Sequence, residues 1–435
     1  MSKTIEASLN EDYTHPVRDA MWGHIFMTEK IAKLTESAPF IRLNRIMQLG
    51  PVYLIYPGAT HTRASHSIGV FHLGRRLLLN LAERGASWLT SDGVKSFLAA
   101  CLLHDLGHFP YTHSLKELAL TSHEELTGAI ILSEPVKSLL SACGADPFLT
   151  AAIVDKKMSG CAAGDELLFY RKLLSGALDP DKLDYLNRDA RYCGVPYGAQ
   201  DIDFILSRLL PDKERGADID SRLIPNVESI LFSKYLMYRT VYWHRQVRAA
   251  TAMVKKALIN GLESGVLTGE DLYNLDDTSL FYLLEQKTQL GSNINLVESV
   301  HEGRIYATAA EYSPDQLDIS SIRKIKSRAQ FEEKLAGELR RTGQRDLADI
   351  KGEDIIVDIP EPVSFETGLF VLDENRSFGE SSSAFKPQTV NEFIQTLYTI
   401  RIFINQKYKE TIKTFSQLYS IINNVINMED KDGHS

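Results

Sequence analysis

The chain reads as mainly α: an all-helical core in the first two-thirds and a smaller α+β region after it. Three observations predict this. Apolar residues recur three or four apart in segment after segment up to about Leu290. Beyond that point the texture changes to alternating or β-branched runs of the kind strands use. Between them, the apolar run Phe97–Leu103 stops abruptly at His104-Asp105, as a core helix does when its end carries polar donors.

Taken in order, Gly69–Arg84, Val94–His104, Glu124–Leu132, Val136–Cys143, Asp181–Tyr192 and Ile202–Leu210 each repeat apolar residues at helical spacing. A further helix is expected around Leu115–Leu120. Val227–Gly261 sustains the pattern for so long that it predicts the spine of the domain. After it, Arg304–Ala309, Glu353–Val363 and Ser364–Leu372 alternate or carry β-branched residues and predict strands. Asn375–Ser383, rich in serine with one glycine, reads as a flexible loop. Val390–Asn424 returns to helix before a polar tail. The division implied is 1–290 for the helical domain and its leading segment, and 291–435 for the α+β region.

Composition bounds the function. A chain of 435 residues, 44% hydrophobic and 24% charged, can bury a sizeable core and is long enough for two or three domains. Its formal net charge of −9 argues against a protein that wraps nucleic acid, which is usually basic overall, but leaves room for a local phosphate site. Cys101, Cys143, Cys161 and Cys193 show no C-x-x-C spacing and read as free thiols in a reducing compartment. The polar, acidic start lacks the apolar stretch of a signal peptide, and no run approaches the ~20 apolar residues that span a bilayer. The expected location is the cytoplasm, with no membrane partner.

Seven of the twelve histidines fall between His61 and His123, which concentrates imidazole where chemistry needs it. Within Cys101-Leu-Leu-His104-Asp105-Leu-Gly-His108 a neutral imidazole and a carboxylate are adjacent, a donor pair that suits Mn, Fe, Co or Zn. Mg is usually held by oxygen alone and is the remaining candidate. Two further segments add donors: Arg63-Ala-Ser-His66-Ser-Ile-Gly69 upstream, and Asp179-Pro-Asp181-Lys182-Leu-Asp184-Tyr185 downstream.

His66, then His104-Asp105, then Asp181 in a D-x-D-K-x-D-Y segment resembles the H…HD…D pattern of the HD phosphohydrolases. More narrowly it is similar to their deoxynucleoside triphosphate triphosphohydrolase branch, which has mammalian and bacterial members. The similarity runs from Phe40-Ile-Arg-Leu-Asn through Gln48, Tyr56-Pro-Gly58 and Arg63–Gly69 to His104–His113, His123-Glu124 and Asp179–Gly194, and covers roughly residues 12 to 260. Chance is a poor explanation for so many motifs in one order.

The resemblance implies His66, His104, Asp105 and Asp181 as ligands of a divalent metal. Such a metal polarises a phosphoryl oxygen and lowers the pKa of water, the chemistry of phosphoester or phosphoanhydride hydrolysis. The resemblance also sets His108, His113 and His123 around the reacting phosphorus, where an imidazole can donate a proton or hydrogen-bond a phosphate. His123, paired with Glu124, is the preferred proton-transferring residue over His108. His108 follows His104 by four and would share its face on a continued helix, although Gly107 and Pro110 favour a turn equally. His113 has a plainer reading as a cap, and His61 and His72 read as structural.

For a triphosphate, Arg63 and Lys182 lie next to metal ligands in the chain and are the best phosphate contacts. By resemblance Lys234 joins them, Gln48 and Asp189 contact the sugar 3′-hydroxyl, and Tyr242, with Tyr185, packs the sugar so that a 2′-hydroxyl has no room. On spacing alone Tyr235, Tyr238 and Tyr242 would be a core stripe.

One departure stands out. Nucleotide-activated relatives carry a second arginine in F-x-R-L-R, whereas this chain reads Phe40-Ile-Arg42-Leu-Asn44-Arg45, so a regulatory site is absent, shifted or altered.

The expected function is metal-dependent hydrolysis of deoxynucleoside triphosphates to deoxynucleoside and triphosphate, by a homo-oligomer (dimer or tetramer) whose C-terminal region contributes subunit contacts. Two alternatives stay open: an HD phosphohydrolase for another nucleotide, such as a monophosphate or signalling nucleotide, and a nucleotide or single-stranded nucleic-acid binding module without turnover.

Overall fold

The computed structural model describes residues 3–158, 164–288, 295–317, 319–320, 322–361 and 363–432. The fold is mainly α, with small sheets. Packing separates two compact units, one of 1–237, 268–282 and 365–387, the other of 238–267, 283–364 and 388–435. A single cut after residue 290 is therefore not the division the packing makes.

The first unit opens with an antiparallel hairpin, Tyr13–Asp19 against Gly23–Thr28, which the helical periodicity gave no sign of. Behind it the Arg63–Glu83 helix packs against Ser91–Leu103 on one side and Pro180–Cys193 on the other. Ser91–Leu103 is buried almost all round, from Val94 to Leu103, so its hydroxyl cap matters: the Thr90 side chain accepts the Gly93 N–H at 3.0 Å. Asp146 and Asp179 cap the Pro147–Val154 and Pro180–Cys193 helices in the same way, each followed by proline at the first turn. The expected helix at Leu115–Leu120 is not formed; a 3₁₀ turn, Thr112–Leu115, stands before a run of turns.

The expected spine is broken. Ile224–Met237 is α-helical, Tyr238–Tyr242 widens to a π turn in which the Trp243 N–H reaches Tyr238 O at 2.9 Å, and a new helix runs Arg245–Glu263. The sequence Tyr238-Arg-Thr-Val-Tyr-Trp-His244 is aromatic and β-branched, and such residues crowd the preceding turn of a helix. Tyr238 meets Trp243 edge-on at 5.3 Å.

In the second unit three antiparallel strands lie in the order Ala307–Tyr312, Ile400–Ile404, Ile355–Asp358. Ile402 and Ile404 meet Val357 and Ile355, and their buried faces pack with Phe331 and Leu335 of the Ile325–Arg341 helix and Ile422 of Leu418–Asp432. The central strand overturns the helix expected across Val390–Asn424, which is instead Pro387–Leu397, the strand, Lys409–Thr414 and Leu418–Asp432. Ile400-Arg-Ile-Phe-Ile404 is a β-branched and aromatic run, and its strand propensity wins.

Nor is Asn375–Ser383 a flexible loop. Phe370–Val371 pairs with Arg376–Ser377, the Ser377 hydroxyl and Glu380 form a capping box for Phe378–Ser381, and Phe378 is completely buried. Of the expected Ser364–Leu372 strand only Phe370–Val371 forms. Cys101, Cys143 and Cys193 are free thiols, and Cys161 lies outside the described residues. No single helix among the described residues is long and apolar enough to cross a membrane.

Candidate metal centre and the imidazoles beside it

Three helices of the first unit deliver the donors. His66 sits in the first turn of Arg63–Glu83, His104 caps the C-terminal end of Ser91–Leu103 at the turn that carries Asp105, and Asp181 lies in the first turn of Pro180–Cys193. Ligand atoms of His66, His104 and Asp105 all fall within 4.8 Å of one another. Asp181 Oδ1 stands 3.0 Å from His66 Nε2 and 4.0 Å from His104 Nε2. The sequence thus placed four separated residues at one point.

The rings face the right way for a metal. His104 Nδ1 lies 2.9 Å from its own helix's Cys101 carbonyl and His66 Nδ1 lies 2.8 Å from Asp184 Oδ2, which leaves both Nε2 atoms facing the cluster. Charge points the same way. Burial works against a charged His66 ring, yet Asp181 and Asp184 overcome it and lift the ring to about 10. Burial likewise opposes ionisation of Asp181, but His66 and His104 pull it down to about 2. Asp105, despite burial, is held well below the usual carboxylate range by His104, His108 and Arg63. Carboxylates clasping an imidazole this tightly are short of a cation, and a divalent metal fits the donor set.

Beside the cluster stand three more imidazoles. His108 and His123 lie with ring centroids 4.0 Å apart, His113 is 4.8 Å from His108, and His113 and His123 are 5.3 Å apart. His108 Nε2 is 3.2 Å from Asp105 Oδ1, and burial, helped by Arg63, drives its pKa well below the ordinary histidine value, so the ring is neutral. His123 Nδ1 is 3.2 Å from Glu124 Oε2. The continued helix left open at His108 does not form: residues 104–107 are a turn.

Two local features explain how His123 arrives there. Ser122 and Glu125 form a capping box that starts the His123–Ile131 helix at that residue. Gly107 then lets the helix seat directly on the metal-site turn, since a Cβ there would lie 2.1 Å from His123 O and 2.5 Å from Thr127 N. Thr127 ties the two together, its Oγ accepting the Gly107 N–H at 2.8 Å and donating to His104 O at 3.0 Å.

Residues 63–143, which hold this arrangement up to and beyond His123, match the model of the HD domain. The chain carries an HD domain. Residues 212–425 match the HD associated region. An uncharacterized protein of Methanocaldococcus jannaschii is 31% identical over 315 residues, 71% of this chain and 62% of its own length. The human deoxynucleoside triphosphate triphosphohydrolase SAMHD1 is 25% identical over 397 residues, 84% of this chain and 61% of its own. The chain therefore spans a little under two thirds of these curated relatives. The crystal structure of a phosphohydrolase from Bacteroides thetaiotaomicron shares the fold, with a TM-score of 0.69 at 21% identity, over 90% of this chain and 99% of that one.

The other expected residues do not all share one surrounding. Arg63 is in the cluster, its Nη1 donating to Asp105 Oδ2 at 2.8 Å. Gln48 and Asp189 are joined through His61: the Gln48 N–H donates to His61 O at 3.0 Å, and His61 Nε2 sits 2.8 Å from Asp189 Oδ1, both side chains buried. The sequence reading gave His61 no such part. Tyr185 is half-buried one turn beyond Asp181.

Two cations are engaged elsewhere. Lys182 Nζ donates to Asp179 at 2.7 Å and to Gly176 O at 3.1 Å, and Lys234 Nζ donates to Glu366 at 2.8 Å. Tyr242 belongs to the second unit, edge-on to Tyr238 at 5.1 Å.

Arg42, which sequence reasoning considered only beside a regulatory site, is buried under the HD domain turn. It donates to Leu106 O at 2.5 Å, His108 O at 2.6 Å and Leu275 O at 2.9 Å, and burial lowers its pKa to about 10. Nothing local in the sequence signals this, because its partners lie 64 to 233 residues away. Asn44 is exposed at the end of the Ala38–Leu43 helix, and Arg45 pairs with Asp276 at 2.5 Å.

Proposed function

We propose that the protein is a metal-dependent phosphohydrolase that cleaves deoxynucleoside triphosphates to deoxynucleoside and triphosphate. The observation that carries the reading is the adjacency of the His66, His104, Asp105 and Asp181 cluster to the His108, His113 and His123 imidazoles. A divalent metal held by the first set supplies Lewis-acid polarisation of a phosphoryl oxygen and a lowered pKa for water. The second set supplies what a leaving phosphate needs. His123, at the N-terminus of a nine-residue helix where the helix dipole favours an anion, delivers a proton to the leaving oxygen, with Glu124 orienting its other nitrogen. Arg63 adds a fixed positive charge beside a phosphate oxygen, and His108, held by Asp105, stands with His113 and His123 in the wall of imidazoles next to it.

Deoxynucleotide selection is supported by the similarity to human SAMHD1, named a deoxynucleoside triphosphate triphosphohydrolase, and by the Gln48, His61 and Asp189 group, whose hydrogen-bonding atoms suit a sugar hydroxyl. Within the first unit, Lys182, Lys234 and Tyr185 complete the proposed substrate contacts. The working form is a homo-oligomer, and the metal is Mn, Fe, Co, Zn or Mg.

The deciding experiment is product analysis on a panel of dNTPs, NTPs and nucleoside monophosphates with Mn, Mg or Co. Deoxynucleoside plus intact triphosphate supports the reading. Turnover only of monophosphates or NTPs, or binding without turnover, refutes it. His104→Ala and Asp105→Ala should lose metal and activity together while staying helical.

A further inference from the structure

The Pro180–Cys193 helix contributes a second carboxylate, Asp184, that no part of the proposed chemistry uses. We infer that Asp184 is a positioning residue for the metal centre, and that through it the N-terminal hairpin holds the His66 ring in the orientation metal binding requires. The inference rests on the metal reading above.

An imidazole offers a lone pair on one nitrogen only when its proton sits on the other, and the partner of the protonated nitrogen fixes the ring. Asp184 is completely buried, and its Oδ2 lies 2.8 Å from His66 Nδ1. An ionised carboxylate only accepts, so Nδ1 carries the proton and Nε2 faces His104 and Asp181.

Asp184 is itself fixed from two directions. Arg188, one helical turn on and completely buried, donates to it through Nε at 2.8 Å and Nη2 at 2.9 Å. The Trp22 indole N–H donates to Asp184 Oδ1 at 2.5 Å. Both lead to the hairpin. Arg188 Nη1 reaches Asp19 Oδ2 at 2.8 Å, and Asp19 Oδ1 accepts the N–H groups of Met21 and Trp22, each at 2.8 Å, which shapes the hairpin turn.

Two features separate this from ordinary core polarity. Although Arg188 and Trp22 both donate to Asp184, its Oδ2 still lies against His66 Nδ1, so the network opens onto the ligand ring rather than closing on itself. The helix bearing His66 is also cut away to admit the carboxylate, because a Cβ on Gly69 would lie 1.9 Å from Asp184 Oδ1 and 2.5 Å from Arg188 Nη2. A buried ion network is a poor source of stability compared with apolar packing, and orienting a ligand is a use that explains it.

The test is a Mn²⁺ titration of the full chain, read by the loss of the free-ion EPR signal, on the parent, Asp184→Asn and Trp22→Phe. Asp184→Asn should raise the Mn²⁺ dissociation constant ten- to a hundredfold, while hydrolysis at saturating Mn²⁺ stays within a few-fold of the parent. Trp22→Phe removes one donor and keeps the Asp184–Arg188 pair, so it folds even if Asp184→Asn does not, and it should weaken Mn²⁺ at least threefold. Parent-like Mn²⁺ affinity in folded Asp184→Asn overturns the positioning role, and in Trp22→Phe it overturns the hairpin's part. A parent that binds neither Mn²⁺ nor, by equilibrium dialysis, Fe²⁺, Co²⁺, Zn²⁺ or Mg²⁺ defeats the metal reading itself, an outcome distinct from variants that bind as the parent does.

Discussion

Replacing Gly107 with alanine tests whether the seating of one helix sets the chemistry. The added Cβ would stand 2.1 Å from His123 O, 2.5 Å from Thr127 N and 2.8 Å from Leu126 Cβ, where nonbonded heavy atoms normally keep about 3.5 Å. Two of the three obstacles are backbone, so no rotamer change relieves them. The start of the His123–Ile131 helix must retreat by roughly 1 Å, which stretches the Thr127 bonds to Gly107 N and His104 O and draws His123 away from His108. A misplacement of about 1 Å in a reacting group costs on the order of 10²-fold in rate. The three atoms nearest the added methyl all belong to the His123–Ile131 helix and none to His66, His104, Asp105 or Asp181. Gly107→Ala should therefore keep metal, measured by atomic absorption on the purified protein, and lose about two orders of magnitude in kcat for its triphosphate substrate. A folded variant with full metal and turnover within threefold of the parent would refute the argument that Gly107 places His123.

His123→Ala should also retain metal but lower the rate by about 10²–10⁴, the range for general acid–base catalysis; a rate within a few-fold would transfer the proton to His108 or water. Arg42→Ala strips three carbonyls of a charged donor and leaves two of them buried under the metal-site turn, so unfolding should cost about 3–5 kcal/mol less in the variant, measured by urea denaturation. Asp277, which accepts the Met47 N–H at 2.8 Å, is pushed up to about 6 by burial, against the pull of that bond and of Arg63. Its folded pKa exceeds the unfolded one, so its contribution is complete below about pH 4 and disappears as pH rises through about 6. Asp277→Asn should remove a fall in stability on the order of 2 kcal/mol between pH 4.5 and 7.5, and identical pH profiles for parent and variant would contradict the assignment.

The candidate donors were legible because each lies in a short motif, and the order of those motifs resembles the HD phosphohydrolase pattern. His66, His104-Asp105 and Asp181 needed no knowledge of packing, and the histidines that follow them converge as expected. What escaped the sequence is whatever depends on a distant partner. Arg42 looks like any helical arginine until three carbonyls from two other segments close on it, and Asp184 looks like a surface acid of an amphipathic helix until Arg188 and Trp22 enclose it. Lys182, singled out by its place beside Asp181, and Lys234, singled out by resemblance, have ion-pair partners that the sequence gave no sign of, Asp179 and Glu366. In the fold, the clear error was one of period. Ile400–Ile404 sits within a helical-looking stretch, and five buried residues cannot announce whether they are strand or helix.

The return of residues 365–387 to the first unit has a consequence for how the protein is made. These residues dock on a stretch synthesised some 150 positions earlier: Val371 bridges Ile219, Asp373 accepts the Ser221 N–H at 2.8 Å, Glu366 holds Lys234, and the Ser382 hydroxyl donates to Glu228 at 2.6 Å. On the ribosome, then, every metal donor and imidazole emerges well before the segment that seals Lys234 into the same unit. Closing so long a loop is slow. Folding of the first unit should therefore finish late, after residue 387 has emerged, and a chain cut near 290 would expose the face on which this segment rests.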